Sequence, residues 1–383
     1  MPHLPPSQCV TTRVIRQEDE WDALRPEWEA LYASSPDASA PLEFAWLRTW
    51  WRIYGPTYGA DGLHIVTAWR GARLIGALPL YKWRLGGSPL GIRQVQFLST
   101  GEAEYEETCP DYLDVLCSRG EEAVCADAIW DCVERLNWDR LALLNLPEDS
   151  PLLRCRAFSN RARTYSRSTC PVADLSGGFE AYLDRLTSNT RQQARRILRE
   201  GKRAGATFEI VAADQAGSAF DDLVRLHQLR WTAEGKQGVF AAPRFTAFHR
   251  DLVREWLPGG RAVLARLSVG GDTVAVLYGF VTGARFEFYQ SGVLRERDMR
   301  LRSPGNLAHL LLMQTLAERG ITAYDFLRGV SSYKERLATR ENRLVGVQVW
   351  RPTLRGATCL SALLARQVAR RGATLLFSQR ADR

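Results

Sequence analysis

No stretch of this sequence approaches the roughly 18 uninterrupted apolar residues that a membrane-spanning helix requires. The opening segment, Met1 to Trp21, also lacks the apolar core of a secretory leader. Both absences point to the cytoplasm. No two cysteines stand at C-x-x-C spacing and the five histidines do not fall at metal-ligand spacing, which argues against zinc or any other bound metal. The eight cysteines, at positions 9, 109, 117, 125, 132, 155, 170 and 359, then read as reduced thiols of a cytosolic protein. Cys125 and Cys132 read as small core residues of one helix before a redox pair. Compositional bias is missing too: 45% hydrophobic and 25% charged residues are ordinary for a globular chain and exclude a disordered or fibrous design.

The length of 383 residues exceeds the ~250–300 that one core sustains, so two domains are expected. A net charge of +8 would suit a nucleic-acid partner if it were spread over a face, but it is concentrated in two places. Arg185 to Arg203 holds seven basic residues against Glu200, and Pro352 to Arg383 holds six arginines against Asp382. The remainder is slightly acidic. Local cations of this kind suit positioned anion contacts or a surface-binding tail, and no DNA partner is expected.

Periodicity gives an α/β chain that runs twice through a similar order. In the first half, helical spacing over Glu18 to Tyr32 and around Phe44 to Ile53 gives way to β-rich runs at Leu63 to Trp69 and Arg73 to Lys82, linked by the turn Arg70-Gly71-Ala72. Ile92 to Leu98 and Tyr112 to Cys117 read as strands, Glu121 to Leu136 as an amphipathic helix, and Arg140 to Leu146 as a buried strand. A loop-rich stretch from Pro147 to Gly178 follows. Then Arg261 to Leu267 and Thr273 to Val281 form a hairpin about Gly270-Gly271-Asp272. Arg285 to Gln290 is a strand, Leu307 to Arg319 a helix stopped by Gly320, Ala323 to Leu327 a short strand, and Leu344 to Trp350 the strand that closes the sheet. The expected domains are 1–160, 161–352 and a basic tail, 353–383.

The most informative stretch is Gln290-Ser291-Gly292 followed by Arg302-Ser303-Pro304-Gly305-Asn306-Leu307, between a strand and a helix. A helix start presents amides without intrahelical acceptors and partial positive charge, and a glycine there admits a phosphate closely. Ser303 is a natural N-cap and Pro304 a favoured first helical residue. The plain alternative is that Ser-Pro-Gly only starts a helix.

This stretch, with Asn189 to Arg196, Phe288 to Gly292, Tyr324-Asp325-Phe326-Leu327-Arg328-Gly329 and Tyr333-Lys334, resembles the GNAT superfamily. Pro41 to Leu47 and Pro110 to Asp114 extend the likeness to its two-module BioF2-like and CelD-like (cellulose biosynthesis) acetyltransferases, with FemAB-type aminoacyl transferases as relatives. The resemblance implies two tandem GNAT-like modules, each a mixed, mostly antiparallel sheet flanked by helices. It further implies an acyl-CoA co-substrate, acetyl-CoA or another acyl-CoA, whose pyrophosphate meets the pattern Arg/Gln-x-x-Gly-x-Gly/Ala. Arg302-x-x-Gly305 matches the first half of that pattern, and Leu307 departs from it, which leaves aminoacyl-tRNA open as donor. The donor-binding residues expected are Gln290, Ser291, Arg302, Ser303, Gly305 and Asn306.

Direct attack of an acceptor on the thioester needs a base, a carbonyl polariser and an acid for the leaving thiolate. Asp325, a carboxylate within an apolar strand, suits a base or amine-orienting group, or else pairs with Arg328 or Arg300. Tyr333 resembles the GNAT tyrosine that protonates the thiolate, and packing is its alternative. Arg191, Arg195 and Arg199 fall on one helical row, so Arg191 and Arg195, with Trp231, Arg328 and Lys334, are candidates to bind an anionic or amine-bearing small acceptor; a solvated face is the alternative for the row. His309, inside an apolar helix, reads as a packed core histidine. The resemblance suggests an envelope or exopolysaccharide-related acceptor. Rival readings are a tRNA-dependent FemAB-like transferase and a degenerate scaffold held weakly at a membrane by the tail.

Overall fold

In a computed structural model of the chain, the described residues are 9–36, 38–59, 61–85, 91–294, 301–329 and 331–353. The tail from residue 354 onward, with its anticipated membrane contact, and Arg300 lie outside them. The first half runs β1 (Val10–Ile15), α1 (Glu18–Ala23), α2 (Arg25–Ser34), α3 (Phe44–Tyr58), β2 (Ile65–Arg70), β3 (Arg73–Leu78), β4 (Leu80–Leu85), β5 (Ile92–Phe97), β6 (Leu116–Cys117), α4 (Glu122–Arg135), β7 (Arg140–Pro147), α5 (Pro151–Arg154) and α6 (Arg156–Ser159). The second half runs β8 (Arg163–Asp174), α7 (Gly178–Arg185), α8 (Ser188–Arg203), β9 (Ala206–Ile210), α9 (Ala216–Ala233), α10 (Pro243–Trp256), β10 (Ala262–Val269), β11 (Asp272–Thr282), β12 (Arg285–Val293), α11 (Pro304–Glu318), β13 (Ala323–Asp325), α12 (Ser332–Leu337) and β14 (Arg340–Trp350).

The two halves share a plan. Each has a hairpin, β2–β3 and β10–β11, turned on glycines with positive φ, Gly71 at 60° and Gly270 at 63°, the backbone that only glycine adopts without strain. Each then pairs two strands in parallel across a helical crossover: β5 with β7 around α4, and β12 with β13 around α11. The sheets are a four-stranded one, β1-β2-β3-β6, and a ten-stranded one ordered β4-β5-β7-β14-β8-β13-β12-β11-β10-β9. The fold is a mixed α/β one, as the sequence implies.

Three expectations are corrected. β14 does not close the sheet; it lies between β7 of the first half and β8 of the second, so one continuous sheet joins the modules. The stretch expected to be loop-rich contains the twelve-residue strand β8. The strand expected over Tyr112 to Cys117 shrinks to Leu116–Cys117, because Tyr112 sits at φ 58°, outside any extended conformation.

Packing also joins the halves. Trp46 of α3 meets Phe248 of α10 edge-on at 5.0 Å and Phe280 of β11 at 5.3 Å, so the aromatic face of α3 is buried against the second module. Within that module α8 lies close on α11. A Cβ on Gly201 would fall 2.5 Å from Cδ2 of the buried Leu307. Gly201→Ala should therefore lower the urea midpoint of unfolding. On a free helix surface the same change would add about 1 kcal/mol of stability.

Candidate functional site

The cavity at the heart of the second module arises from strands that part. β12 and β13 pair only over Arg285–Glu287 and Ala323–Asp325. β12 continues to Val293 beside β11, whereas the chain after β13 turns away at Leu327, φ 54°. Parallel strands that diverge leave a crevice at their carboxyl ends, where open α/β sheets take ligands. A register slip at Tyr278/Gly279 leaves Tyr289 bulged out of the ladder beside it, a device that re-aims nearby groups. The resulting cavity, about 360 Å³, is lined by Arg230, Ser291, Val293, Leu294, Arg302, Ser303, Pro304, Gly305, Asn306, His309 and Tyr333.

α11 starts on this cavity. Ser303 occupies the N-cap position, but its hydroxyl makes no capping bond, and Pro304 follows as the first helical residue. The first intrahelical bond runs from the Leu307 amide to the Ser303 carbonyl, 3.0 Å, so the Gly305 and Asn306 amides have no acceptor within the helix. A Cβ on Gly305 would meet only Val293, at 3.4 Å, an ordinary contact. Packing alone does not call for glycine here. Leu307, the departure from the family pattern, points away from the cavity into the space left by Gly201. Arg302 is exposed at the mouth, and Gln290 stands beside the bulge, outside the lining residues.

Tyr333, from α12, forms another wall. Its ring lies 5.1 Å from that of His309 at 28°, and burial pushes its phenol well above the usual range, with Arg230 pulling the other way. His309, which the sequence reads as a packed core histidine, belongs to the cavity, and so does Arg230, which the sequence offers with Trp231 as a wall of an acceptor pocket. The signal for His309 was its spacing, four residues after Gly305 and so on the same helical face.

Asp325 lies elsewhere. Side chains alternate along a strand: Tyr324 and Phe326 join the core beneath α11, and Asp325 projects to the opposite face. There it is fully buried, accepting hydrogen bonds from the Tyr112 hydroxyl at 2.5 Å and the Leu327 amide at 2.8 Å. Burial pushes its pKa up to about 6, against the pull of Tyr112 and Arg285. The structure thus does not bring Asp325 together with Tyr333. Nor does Asp325 pair with Arg328, whose guanidinium and amide both bond to the buried Asp111 of the first half. Lys334 donates to the carbonyls of Phe326 and Arg328, 2.8 Å each, and of Leu327 at 3.4 Å. Arg328 and Lys334 therefore hold the loop after β13 and are absent from the cavity lining.

Two members of the basic row of α8 are engaged as well: Arg191 pairs with Asp184 at 3.1 Å and Arg195 with Glu180 at 3.2 Å, both acids from α7. Trp231 is outside the cavity wall; it donates to His227 at 2.9 Å, and the guanidinium of Arg230 lies over its ring. Among the described residues no three His, Cys, Asp or Glu side chains cluster as metal ligands, and no helix is long and apolar enough to cross a membrane.

Residues 188–335, from the start of α8 into α12, match the family model described as an acetyltransferase (GNAT) domain. The chain carries an acyltransferase domain. No curated protein matches the sequence. Among solved structures, FemX superposes with a TM-score of 0.59 at 9% identity, over 89% of this chain and 97% of that one. The C-terminal domain of a putative lysylphosphatidylglycerol synthetase from Agrobacterium fabrum gives 0.53 at 15%, over 91% and 97%. L-PGS from Bacillus licheniformis gives 0.52 at 12%, over 90% and 96%. At these identities the likeness is one of fold. It extends across both modules, so the acyltransferase domain sits in a two-module frame that other proteins share.

Proposed function

We propose that this acyltransferase uses an acyl thioester of coenzyme A, held at the start of α11, and passes the acyl group to an amine or hydroxyl acceptor. The observation that carries this reading is the uncapped first turn of α11 opening onto a cavity that Arg230 and Arg302 also line. Free amides, the helix dipole and two guanidiniums together suit a pyrophosphate. Tyr333 supplies the proton that the departing thiolate takes as the C–S bond breaks. The acceptor loses a proton as its nitrogen or oxygen bonds to the carbonyl carbon.

The first module supports a different role for its own crossover. α4 begins at Glu121 and Glu122; Glu121 is bound by Arg70 and Arg73, and Glu122 accepts from the Gly120 amide. Acidic side chains stand at that helix start, where a helix dipole already meets negative charge, whereas the first turn of α11 carries none. We assign the donor to the second module alone and take residues 161–352 as its extent. An envelope or exopolysaccharide-related acceptor remains the reading of the CelD-like resemblance.

A second reading, an aminoacyl-tRNA donor, is favoured by the likeness to FemX and to the synthetase named for lysylphosphatidylglycerol. Against it, two of the α8 arginines that would meet a nucleic acid, Arg191 and Arg195, are paired with acids of α7. Thermal unfolding with acetyl-CoA, charged tRNA or heparin separates the two. A ligand at 100 times its dissociation constant adds about 2.7 kcal/mol, a rise of a few degrees. A rise with acetyl-CoA alone is expected; a rise with charged tRNA alone, or equal rises with every polyanion, would sink the coenzyme A assignment.

A further inference from the structure

The proposed donor site leaves one wall without a role. His309 is 3% exposed and lines the cavity one turn beyond Gly305. Aromatic rings box it in. Tyr333 lies nearly parallel to it, the ring of Phe288 stands 4.6 Å away at 82°, and that of Phe326 5.6 Å away at 60°. Burial, and next the ammonium of Lys334, push its pKa down to about 3. The other titratable or charged groups facing it or its cavity are Tyr324 from β13, Tyr333 from α12, Arg230 from α9 and Arg302 before α11. None is an acid that would draw a proton onto the ring, so the imidazole is neutral.

Its tautomer follows from a second contact. Nδ1 lies 2.7 Å from the hydroxyl of Tyr324. That phenol is fully buried, burial holds it protonated, and Nδ1 is its one hydrogen-bond partner among the described residues. Its proton therefore goes to Nδ1, and the proton of the imidazole resides on Nε2. Nε2–H has no acceptor among the described residues. An N–H in that position is stabilised by any acceptor a ligand brings.

We propose that His309 is a catalytic residue, presenting Nε2–H as a neutral hydrogen-bond donor to the carbonyl oxygen of the bound acyl group. The inference rests on the reading of this cavity as an acyl-thioester site. When the acceptor bonds to the carbonyl carbon, the C=O π pair moves onto oxygen and the bond from Nε2–H strengthens. The pair returns as sulfur leaves with the C–S electrons and takes the proton of Tyr333, and the proton released by the acceptor replenishes the phenol. A neutral imidazole suits this work because it polarises the carbonyl without surrendering its proton.

Nitrogen NMR of the full-length protein with ¹⁵N-labelled histidine tests this, the His309 signals being assigned by loss in His309→Gln. The expected result is an Nε2-protonated ring that does not titrate between about pH 5 and 9. Its Nε2 signal should move with acetyl-CoA and stay put with coenzyme A, which lacks the acyl carbonyl. Calorimetry on the same samples should show His309→Gln weakening acetyl-CoA about fivefold relative to coenzyme A, the worth of one neutral hydrogen bond. His309→Phe, which preserves the aromatic box, replaces the glutamine variant if that fails to fold. A proton on Nδ1, a titrating ring, or equal responses to two ligands that both bind would overturn the inference and leave the donor site standing. Failure of both ligands to bind would remove the donor site, and the inference with it.

Discussion

Tyr333→Phe should slow thiol release from acetyl-CoA at least about 100-fold, the low end of what a positioned proton donor contributes. The affinity for acetyl-CoA should change less than twofold. The substitution removes one oxygen and keeps the ring, so the face against His309 and the edge against Phe326 persist. The split between turnover and binding is the point of the measurement. A residue that only packs would leave both unchanged when its hydroxyl is deleted. A residue that only holds the donor would lose affinity first. An unaltered rate of thiol release, measured with a chromogenic disulfide, would strip Tyr333 of the acid role.

The other large effect concerns the seam between the modules. Asp111→Ala removes both carboxylate oxygens that bind Arg328, one from its amide at 2.8 Å and one from its guanidinium. Breaking a buried pair from one side leaves the partner charge unmatched, at about 3–5 kcal/mol. The Arg328 side chain retains 29% exposure, so water recovers part of that, and about 2–3 kcal/mol is expected in urea unfolding. Donor binding should survive, because α11 makes none of these contacts. Loss of acetyl-CoA binding at an unchanged unfolding midpoint would mean that Asp111 serves the site directly and would contradict the structural role given to it.

Much of this fold was readable from local pattern. The two hairpins, the basic helix α8 and the strand–helix–strand order in each half all follow from glycine placement and hydrophobic period. β8 escaped because Arg163 to Arg167 is exposed throughout. With neither face buried there, no alternation marks the strand, and its pairing with β14 and β13 is what makes it one. The same pairing moved β14 from the edge to the centre. Within the site, Arg302 to Asn306 and Tyr333 converge on one cavity. Asp325 went to the other face for a reason the sequence did contain: Tyr324 and Phe326 are the apolar alternates of its strand, so the residue between them must point away. Its partner was not readable, since Tyr112 is 213 residues distant. Nor was the use of Arg328, whose acid lies 217 residues upstream. Contacts of that separation are set by how two modules dock, which no local signal encodes.

The central claim is that the start of α11 binds the acyl donor. Gly305→Trp tests it most directly, because a Cβ is tolerated at 305 by the protein itself and the indole would occupy the space left for phosphate. Calorimetric titration of acetyl-CoA should give saturable binding to the wild-type protein and none to the variant, with the unfolding midpoints of the two proteins alike. Equal binding to both would place the donor elsewhere and contradict the account.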